Sequence, residues 1–393
     1  MKLLSISAIF ASLLASSAAS TEGRSTAKVL PVEYDNGSDT QYYRIQLPKA
    51  LKAGEQQTIG ISFSYLKAYA PLPSSIRQDE KQYLTYDFSA FCQSAYVTAK
   101  QKTEVKFSSS NIPDFTTIGE GRLRSRPARV RFEFTKPVLH VATLERDIEV
   151  SHWGGNVAFE ERYDLYNRGA NMSSSFSRVK WQQSQYSNPT TWALKELKFP
   201  LSVGSADTYY TDVIGNVTTS RFRSNKREAL LEAKPRYPVF GGWKYPFTIG
   251  WNANANSHLR RTESGEYVLN VPFLEGPKQP EGIEYSEVRL QVLLPEGAEN
   301  IKFYTTIPES AITESTTTIR RTYLDTVGRT AIIITAKNIV DEFRGREVII
   351  TYTYPLLAGL RKPLVIFLST LSIFVAGWVV GGLNVGFSRT TRK

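Results

Sequence analysis

The chain has 393 residues, with 48 lysines and arginines against 37 aspartates and glutamates and a single cysteine. Its formal charge of +11 would suit a nucleic-acid-binding protein, but the basic residues are scattered along the sequence, and we expect no nucleic-acid partner. One cysteine excludes an intrachain disulfide, so the domains must be held together by their hydrophobic cores.

The N-terminus has the three parts of a secretory signal peptide. Lys2 provides the positive charge, residues 3–14 form an apolar segment too short to cross a bilayer, and residues 16–20 are small residues suited to cleavage before Thr21. A buried helix at the start of a domain is the alternative interpretation. We predict a signal peptide over residues 1–20.

Most of the chain has the period-two pattern of β-strands, in runs rich in β-branched and aromatic residues and separated by proline, glycine, asparagine and aspartate. Only residues 191–197 suggest a helix, and a short one. The fold is predicted to be mainly β, with two β-sandwich or curved-sheet domains over residues 21–146 and 147–358. Examples of these runs are residues 42–47, 58–65, 128–135, 157–166, 266–273, 287–294, 301–306, 330–336 and 346–354.

The C-terminal region carries a second membrane signal. Residues 363–387 contain no charged side chain and are bounded by basic residues on both sides. This length predicts a transmembrane helix. With a signal peptide before it, the expected topology is single-pass type I, with a luminal body and a cytosolic tail over residues 388–393. A GPI signal is the alternative, but Trp378 and the closing basic residues fit a retained span better.

The predicted transmembrane helix also contains a helix-packing pattern. Glycines four residues apart form a flat groove that another helix can approach closely, and a polar amide in lipid needs a bonding partner. Chance is the alternative, because glycine is common in membrane helices. We expect helix-helix packing at Gly377, Gly381, Gly382, Asn384 and Gly386.

No catalytic, cofactor or metal site is indicated by the sequence. A His-Glu-x-x-His motif, a Gly-x-Ser-x-Gly elbow and a phosphate loop are all missing. Cys92 is interpreted as a buried apolar residue. Glu160 and Glu161 should point to opposite faces of a strand, and a solvated strand edge is the expected setting. The histidines are too far apart in sequence to suggest a metal pair: His140, His152 and His258.

Three sequons are permissive for N-glycosylation, at Asn36, Asn171 and Asn216. A fourth, at Asn188, is excluded by the proline that follows it. Together with the signal peptide they suggest a luminal glycoprotein.

A set of blocks in this chain resembles the ribophorin I family, whose members are subunit 1 of the oligosaccharyltransferase complex. The most specific block is residues 235–244, PRYPVFGGWK. The order of many blocks, more than any one of them, carries the resemblance. The blocks are residues 151–156, 159–163, 169–170, 176–178, 212–220, 235–244, 247–251, 294–298 and 323–325.

This resemblance implies a role without catalysis of its own. The family's complex transfers a preassembled oligosaccharide from dolichyl diphosphate to Asn-x-Ser/Thr acceptors in the lumen of the endoplasmic reticulum, and a different subunit holds the metal and catalytic carboxylates. The β domains of the family look like the non-catalytic β domains of metallo-aminopeptidases. The expected partners are the catalytic and other subunits, the membrane and nascent polypeptide. Contact with a partner or an acceptor is expected at His152, Trp153, Phe240, Gly241, Gly242 and Trp243, although for residues 240–243 a packed turn is the simpler interpretation.

Two points remain open in this comparison. Family members carry a further β-rich stretch before the region that matches Lys28, so the first domain is expected to be shortened. A luminal cargo receptor or chaperone-like binding protein is the alternative function, although six predicted cytosolic residues leave little room for sorting signals. A free-standing luminal enzyme is a third possibility, for which no motif argues.

Overall fold

The structure is a computed structural model. It describes residues 28–31, 43–46, 65–89, 98–107, 111–117, 127–187, 191–322 and 325–383, with positions 50, 52, 54, 56 and 58. The predicted signal peptide, the predicted cytosolic tail, Asn36, Cys92, Asn384 and Gly386 lie outside the described residues.

The described chain is mainly β, as the sequence predicts. The first eleven strands are β1 (Lys28–Pro31), β2 (Tyr43–Gln46), β3 (Tyr69–Pro71), β4 (Ser75–Ile76), β5 (Tyr83–Ser89), β6 (Asp114–Thr117), β7 (Pro127–Glu133), β8 (Leu139–Ser151), β9 (Asn156–Asn167), β10 (Asn171–Met172) and β11 (Leu197–Leu201). The next eleven are β12 (Ala206–Asp212), β13 (Arg221–Ser224), β14 (Ala229–Ala233), β15 (Lys244–Asn254), β16 (Leu259–Arg261), β17 (Tyr267–Pro272), β18 (Glu284–Leu293), β19 (Glu299–Thr305), β20 (Ile312–Arg320), β21 (Arg329–Val340) and β22 (Glu347–Thr353).

Helices are few in the described residues. They are α1 (Arg178–Ser187), α2 (Ala255–His258), α3 (Leu356–Gly359) and α4 (Arg361–Gly382), with short 3-10 turns at Glu309–Ala311 and Asp341–Gly345. The short helix predicted at residues 191–197 is wrong, because Leu194 forms a β-bridge with Val239 and Leu197 begins β11. The helix of this region is α1, which lies upstream.

A seven-stranded sheet in the order β12-β15-β9-β8-β18-β21-β20 forms the main body. Its pairs are antiparallel except for β8 with β18, which run parallel. Strand β9 shows why this sequence makes a sheet. Its odd positions, including Val157, Phe159 and Leu165, are buried, and its even positions are partly exposed. This alternation fixes the register, since a slip of one residue would expose the whole apolar set.

Two smaller sheets pack against the seven-stranded sheet. One has the order β11-β14-β13 and the other β16-β17-β22-β19. Phe199 and Leu231 of the first, and Val271 and Ile350 of the second, share one buried cluster with Ile148 of the main sheet. The body is therefore a sandwich of sheets around one core.

The N-terminal part forms a separate four-stranded sheet in the order β3-β5-β7-β6, with its own small core around Leu84 and Phe132. It is tied to the main body by the parallel pair of β4 with β10 and by Gln82, whose side-chain oxygen accepts a hydrogen bond from the backbone amide of Ala170, 2.9 Å away. A further hairpin joins β1 and β2.

The boundary predicted between residues 146 and 147 falls inside β8, a continuous strand of the main sheet. A division there would cut a strand that pairs with β9 and β18 along its length. Its charged sequence, with Glu145, Arg146 and Asp147, is typical of a linker, but these charges are paired within the fold. The main sheet therefore begins with β8 at Leu139, upstream of the predicted boundary, and the division into two domains stays a prediction.

Candidate functional site

The motif at residues 240–243 forms a packed turn before β15. Phe240 is fully buried, and its ring lies against those of Trp192 and Trp243, with centroids 4.8 and 5.4 Å away. A Cβ atom on Gly241 would collide with the backbone that leads into β10, and Gly242 has a φ of +78°. Only glycine fits both requirements without strain. Phe240 and the two glycines thus serve the packing of the turn.

Trp243 is the member of this motif whose side chain lines an open aromatic pocket, while Gly242 borders a separate cleft. The pocket has a volume of about 470 Å³ and is lined by Phe176, Tyr237, Trp243 and Lys244. Tyr237 is 38% exposed, and its ring centroid lies 5.8 Å from that of Trp243. Aromatic walls give the pocket apolar contacts for a ligand, and Lys244, whose Nζ lies 2.8 Å from a carboxylate oxygen of Asp164, gives a polar edge.

His152 lies in an aromatic cluster at the turn between β8 and β9. Its ring stacks on Tyr354, 4.5 Å between centroids, and meets the edge of Tyr267 at 4.6 Å. Its Nε2 is 2.7 Å from the hydroxyl of Tyr352. Burial lowers the pKa of His152. The next residue, Trp153, is 76% exposed, so the two motif residues have different roles: one packs and one faces outward.

A charged network lies inside the sandwich, and the sequence interpretation missed it. Arg146 is fully buried and pairs with Glu161, and its Nη2 lies 2.5 Å from a carboxylate oxygen of Glu275. The hydroxyl of Tyr163 donates a hydrogen bond of 2.6 Å to Glu161. Burial raises the pKa of Glu161, against the effect of Arg146. The guanidinium also lies 5.2 Å from the ring centroid of Phe159.

The prediction that Glu160 and Glu161 point to opposite faces is confirmed, but the solvated edge expected for them is wrong. Strand β9 is central in the sheet, and Glu161 is buried. On the other face, Glu160 pairs with Arg162 and accepts a 2.5 Å hydrogen bond from the hydroxyl of Tyr209. The period-two pattern by itself indicates the burial of Glu161, because it places Glu161 on the same face of the strand as Phe159.

Two of the three sequons lie in the described residues, and both asparagines are exposed. Asn216 follows the turn after β12, where Arg236 donates a 2.8 Å hydrogen bond to its backbone carbonyl. Asn171 begins β10, and its side-chain oxygen lies against Gly242. Burial would raise the pKa of Asp212, but hydrogen bonds from Arg236 and two backbone amides together lower it. The turn before Asn216 is thus firmly held.

Asn171 also borders a cleft of about 540 Å³ between the first sheet and the main body. Lys67, His140 and Arg168 line it. Glu284 accepts a hydrogen bond of 2.9 Å from the backbone amide of Lys67, and its other oxygen lies 3.4 Å from Arg168. Arg168 is thus paired with Glu284, which also binds the backbone of Lys67.

The remaining histidines do not approach one another. The hydroxyl of Ser286 lies 3.2 Å from Nε2 of His140. The backbone carbonyl oxygen of Asn270 lies 3.2 Å from Nδ1 of His258. Within the described ranges, no group of three or more His, Cys, Asp or Glu side chains could hold a metal ion.

Helix α4 confirms the apolar helix predicted near the C-terminus, over Arg361–Gly382, and is long and apolar enough to cross a membrane. At Gly377, Gly381 and Gly382, an added Cβ would meet no atom within 4 Å among the described residues, the helix's own nearby backbone aside. The glycine side of the helix is therefore open to a partner helix.

The start of α4 is fixed to the body. Lys362 Nζ lies 2.8 Å from a carboxylate oxygen of Asp325. Glu296 accepts hydrogen bonds from the backbone amides of Thr326 (2.8 Å) and Val327 (2.6 Å). Gly297 lies directly against Ala358 of α3. These contacts join the loops before β19 and β21 to the residues where the helix begins.

These features define a class of protein: a β-sheet body whose C-terminal helix can cross a membrane and presents a glycine face. A family model described as Ribophorin I matches residues 3–381, which extends upstream of the Lys28 indicated by the motifs. The chain belongs to the ribophorin I family.

Proteins named dolichyl-diphosphooligosaccharide–protein glycosyltransferase subunit 1 are similar along most of the chain. The Caenorhabditis elegans protein is 30% identical over 353 residues, which cover 86% of this chain and 59% of the relative. The Schizosaccharomyces pombe protein is 30% identical over 347 residues, 82% of this chain and 75% of the relative. Subunit 1B of Arabidopsis thaliana is 30% identical over a segment that covers 88% of this chain and 76% of the relative. The chain thus spans about three-fifths of the worm relative.

Among solved structures, an M1 zinc metallopeptidase from Deinococcus radiodurans is 12% identical, with a TM-score of 0.32 over 54% of this chain and 42% of the other. Native yeast LTA4 hydrolase is 10% identical, with a TM-score of 0.32 over 54% and 29%. Scores of this size establish neither a shared fold nor a shared activity.

Proposed function

We propose that this chain is a membrane-anchored, non-catalytic subunit of an oligosaccharyltransferase complex in the endoplasmic reticulum. Membership of the ribophorin I family carries this proposal, because the relatives that cover most of the chain are named subunit 1 of that glycosyltransferase. The complex would transfer the oligosaccharide from dolichyl diphosphate to asparagine, and this chain would support assembly with the subunit that performs the chemistry.

The proposed topology is a single span with the β body in the lumen. Helix α4 supports the span by its length and composition. The exposed sequons at Asn171 and Asn216 are compatible with a luminal body.

We place docking within the membrane on the glycine side of α4. Gly377 and Gly381 are one helical turn apart, so they lie on the same side of the helix, with Gly382 beside them. Close approach of two helices at such a face gains packing and allows backbone contacts that larger side chains would block. In the same proposal, Asn384 would extend the face of Gly377 and Gly381, and Gly382 with Gly386 would form a second glycine pair on another side of the helix.

The test of the assembly role is co-purification. The tagged chain is solubilised in mild detergent and pulled down, its partners are identified, and the eluate is assayed for transfer to an Asn-x-Thr peptide. We expect transferase activity with the co-purified subunits and none from the chain purified alone. A chain that comes down alone, or with cargo proteins and no activity, would instead support a receptor or chaperone-like role.

The docking face is tested by Gly381→Leu, with Val379→Leu as the matched control on the side of the helix opposite Gly377 and Gly381. The glycine substitution should reduce the yield of co-purified subunits several-fold, while the valine substitution leaves it unchanged. Equal yields from both variants would contradict docking through the glycine face.

We further propose that the Trp243 pocket contacts acceptor polypeptide. Its aromatic lining supports this, since extended chains bind readily to aromatic walls next to a polar group. A photo-crosslinker in place of Tyr237 should capture a nascent chain bearing Asn-x-Thr, and one in place of Tyr186, which is 94% exposed on α1, should not. Equal capture at both positions would contradict the pocket.

A further inference from the structure

One end of the β body carries all the loops that surround the start of α4. The register pairs Leu293 with both Glu149 and Ala331, and Thr318 with Ala331. The loops that follow β8, β18 and β20 therefore lie at the same end of the main sheet. The stacking of His152 on Tyr354 joins the end of β22 to this group.

This end exposes large apolar side chains. Trp153 is 76% exposed, Leu356 88% and Leu357 80%. Exposed apolar residues gathered in one place are uncommon on soluble surfaces and indicate a contact with a protein or a membrane. We define the helix-end surface as Trp153, Ile319, Val327, Leu356, Leu357 and Leu360.

The helix-end surface is held in place relative to α4. Asp325, in the loop that holds Val327, pairs with Lys362 in the first turn of α4. The backbone amide of Val327 is bound by Glu296. On the other side, His152 fixes the turn of Trp153 to Tyr354, two residues before Leu356. If α4 enters a membrane, these side chains are brought to its surface with it.

The charges around the surface identify what it meets. Arg320, Arg321 and Arg361 are all exposed, next to Ile319 and Leu360 in the chain. Apolar side chains with arginines beside them match the boundary of a bilayer, where phosphates lie above the acyl chains. A tryptophan at the same level is typical of membrane interfaces.

We propose that the helix-end surface lies in the interfacial layer of the bilayer. Leu356, Leu357 and Leu360 enter below the headgroups, Trp153 lies at headgroup level, and the arginines bind lipid phosphates. The occupant is phospholipid, because the surface lies next to the apolar side chains of α4, from which only Arg361 and Lys362 separate it in the chain. This inference rests on the proposed membrane span, and it makes the body a second point of attachment to the membrane.

The test is a depth measurement on the full chain in phosphatidylcholine vesicles. After Cys92 is replaced by serine, a nitroxide label is placed by Leu357→Cys or, as the matched control, by Val213→Cys. Val213 is 82% exposed and directly follows β12, at the end of the main sheet opposite the helix-end surface. A third label, by Phe374→Cys, reports whether α4 is inserted. The ratio of collisions with oxygen to collisions with a water-soluble nickel complex measures depth.

We expect a collision ratio several-fold higher at position 357 than at position 213, and highest at position 374. If the label at position 357 is as accessible to nickel as the label at position 213, while the label at position 374 is embedded, the helix-end surface does not lie in the bilayer. The proposed span would be unaffected by that result. A water-exposed label at 374 would instead refute the span itself, and with it the basis of this inference.

The arginines are tested by lipid composition. With the label at Val327→Cys, the collision ratio should rise when phosphatidylserine is added to the vesicles, because anionic headgroups draw the surface inward. Replacing Arg320, Arg321 and Arg361 together by glutamine should abolish that rise. A ratio that does not respond to phosphatidylserine in the unmodified background would overturn the phosphate contact.

Discussion

The imidazole Nε2 of His152 lies 2.7 Å from the hydroxyl of Tyr352. This contact joins the first hairpin of the main sheet to the last strand before α4, across 200 residues of sequence. Tyr352 is buried, and the histidine ring fills the space between Tyr267 and Tyr354. His152 is thus one of several residues that connect the body to the segment leading into α4.

The burial of His152 predicts a pH dependence of stability. Its pKa in the folded chain lies below the ordinary value of 6.5, because burial disfavours the charged ring. Between the two values the unfolded chain binds more protons, so stability falls as the pH drops below about 6.5 and continues to fall until the folded pKa is reached. Melting curves in detergent at pH 7.5 and 5.5 should show this loss.

The control for that measurement is His152→Gln, which retains a hydrogen-bonding group without a titration near neutral pH. This variant should melt at a lower temperature at pH 7.5 and lose part of the pH dependence. An unchanged pH dependence in His152→Gln would assign the effect to other groups.

The buried network predicts a large effect at Arg146. Arg146→Met removes the cation that pairs with Glu161 and leaves that carboxylate in a dry core. We expect a loss of about 3–5 kcal/mol in the free energy of unfolding, the usual cost of breaking a buried pair. The double variant Arg146→Met with Glu161→Gln should recover part of it, because the amide needs no countercharge. Denaturant unfolding measures both, and no recovery in the double variant would contradict an electrostatic cause.

Gly242 predicts a steric effect that can be separated from backbone strain. Gly242→Ala places a Cβ against the side-chain oxygen of Asn171 and at a φ of +78°. Gly155 has a φ of +64° with open space around it. We expect about 1 kcal/mol of destabilisation from Gly155→Ala and about 2–3 kcal/mol from Gly242→Ala. Thermal melts compare them, and equal losses would show that Asn171 moves aside freely.

The exposed turn at Asn216 predicts glycan attachment there if the body is luminal. Asn216→Gln should abolish one glycosidase-sensitive shift in gel mobility, because its side chain is exposed beyond a held turn. Asn188→Gln is the control, since the proline after it prevents modification. If glycosidase does not change the gel mobility of the chain without substitutions, none of the sequons carries a glycan.

Much of the strand content was predictable from the alternation of residues. The patterns at residues 157–166, 287–294 and 346–354 correspond to β9, β18 and β22 within a few residues. Strand β8 was missed as a strand because four of its residues are charged. Its charges are compatible with a central position only because Arg146 meets carboxylates from β9 and a distant loop, and because Glu145 and Asp147 share Arg162. Such pairings join residues far apart in sequence.

The prediction for the motif at residues 240–243 was split between a packed turn and a contact surface. The burial of Phe240 and the confinement of both glycines agree with the turn, and only Trp243 reaches the pocket. The sequence alone cannot separate the buried members of this motif from the exposed one. The exposure of Phe240 and Trp243 depends on Trp192 and Phe176, which come from other segments. In the same way, the sequence alone cannot show that His152 is packed and Trp153 is exposed, because their contacts come from distant segments.

The sequence by itself determined the β character of the body, the apolar C-terminal helix and the resemblance to the ribophorin I family. These depend on local periodicity, on length and on the order of short motifs, all of which are written along the chain. Only the tertiary structure decided that β8 is central, that Glu161 is buried with Arg146, and that Trp153 lies at the same end as the start of α4. Each of these depends on contacts between distant segments, and sheet pairing is what brings such segments together.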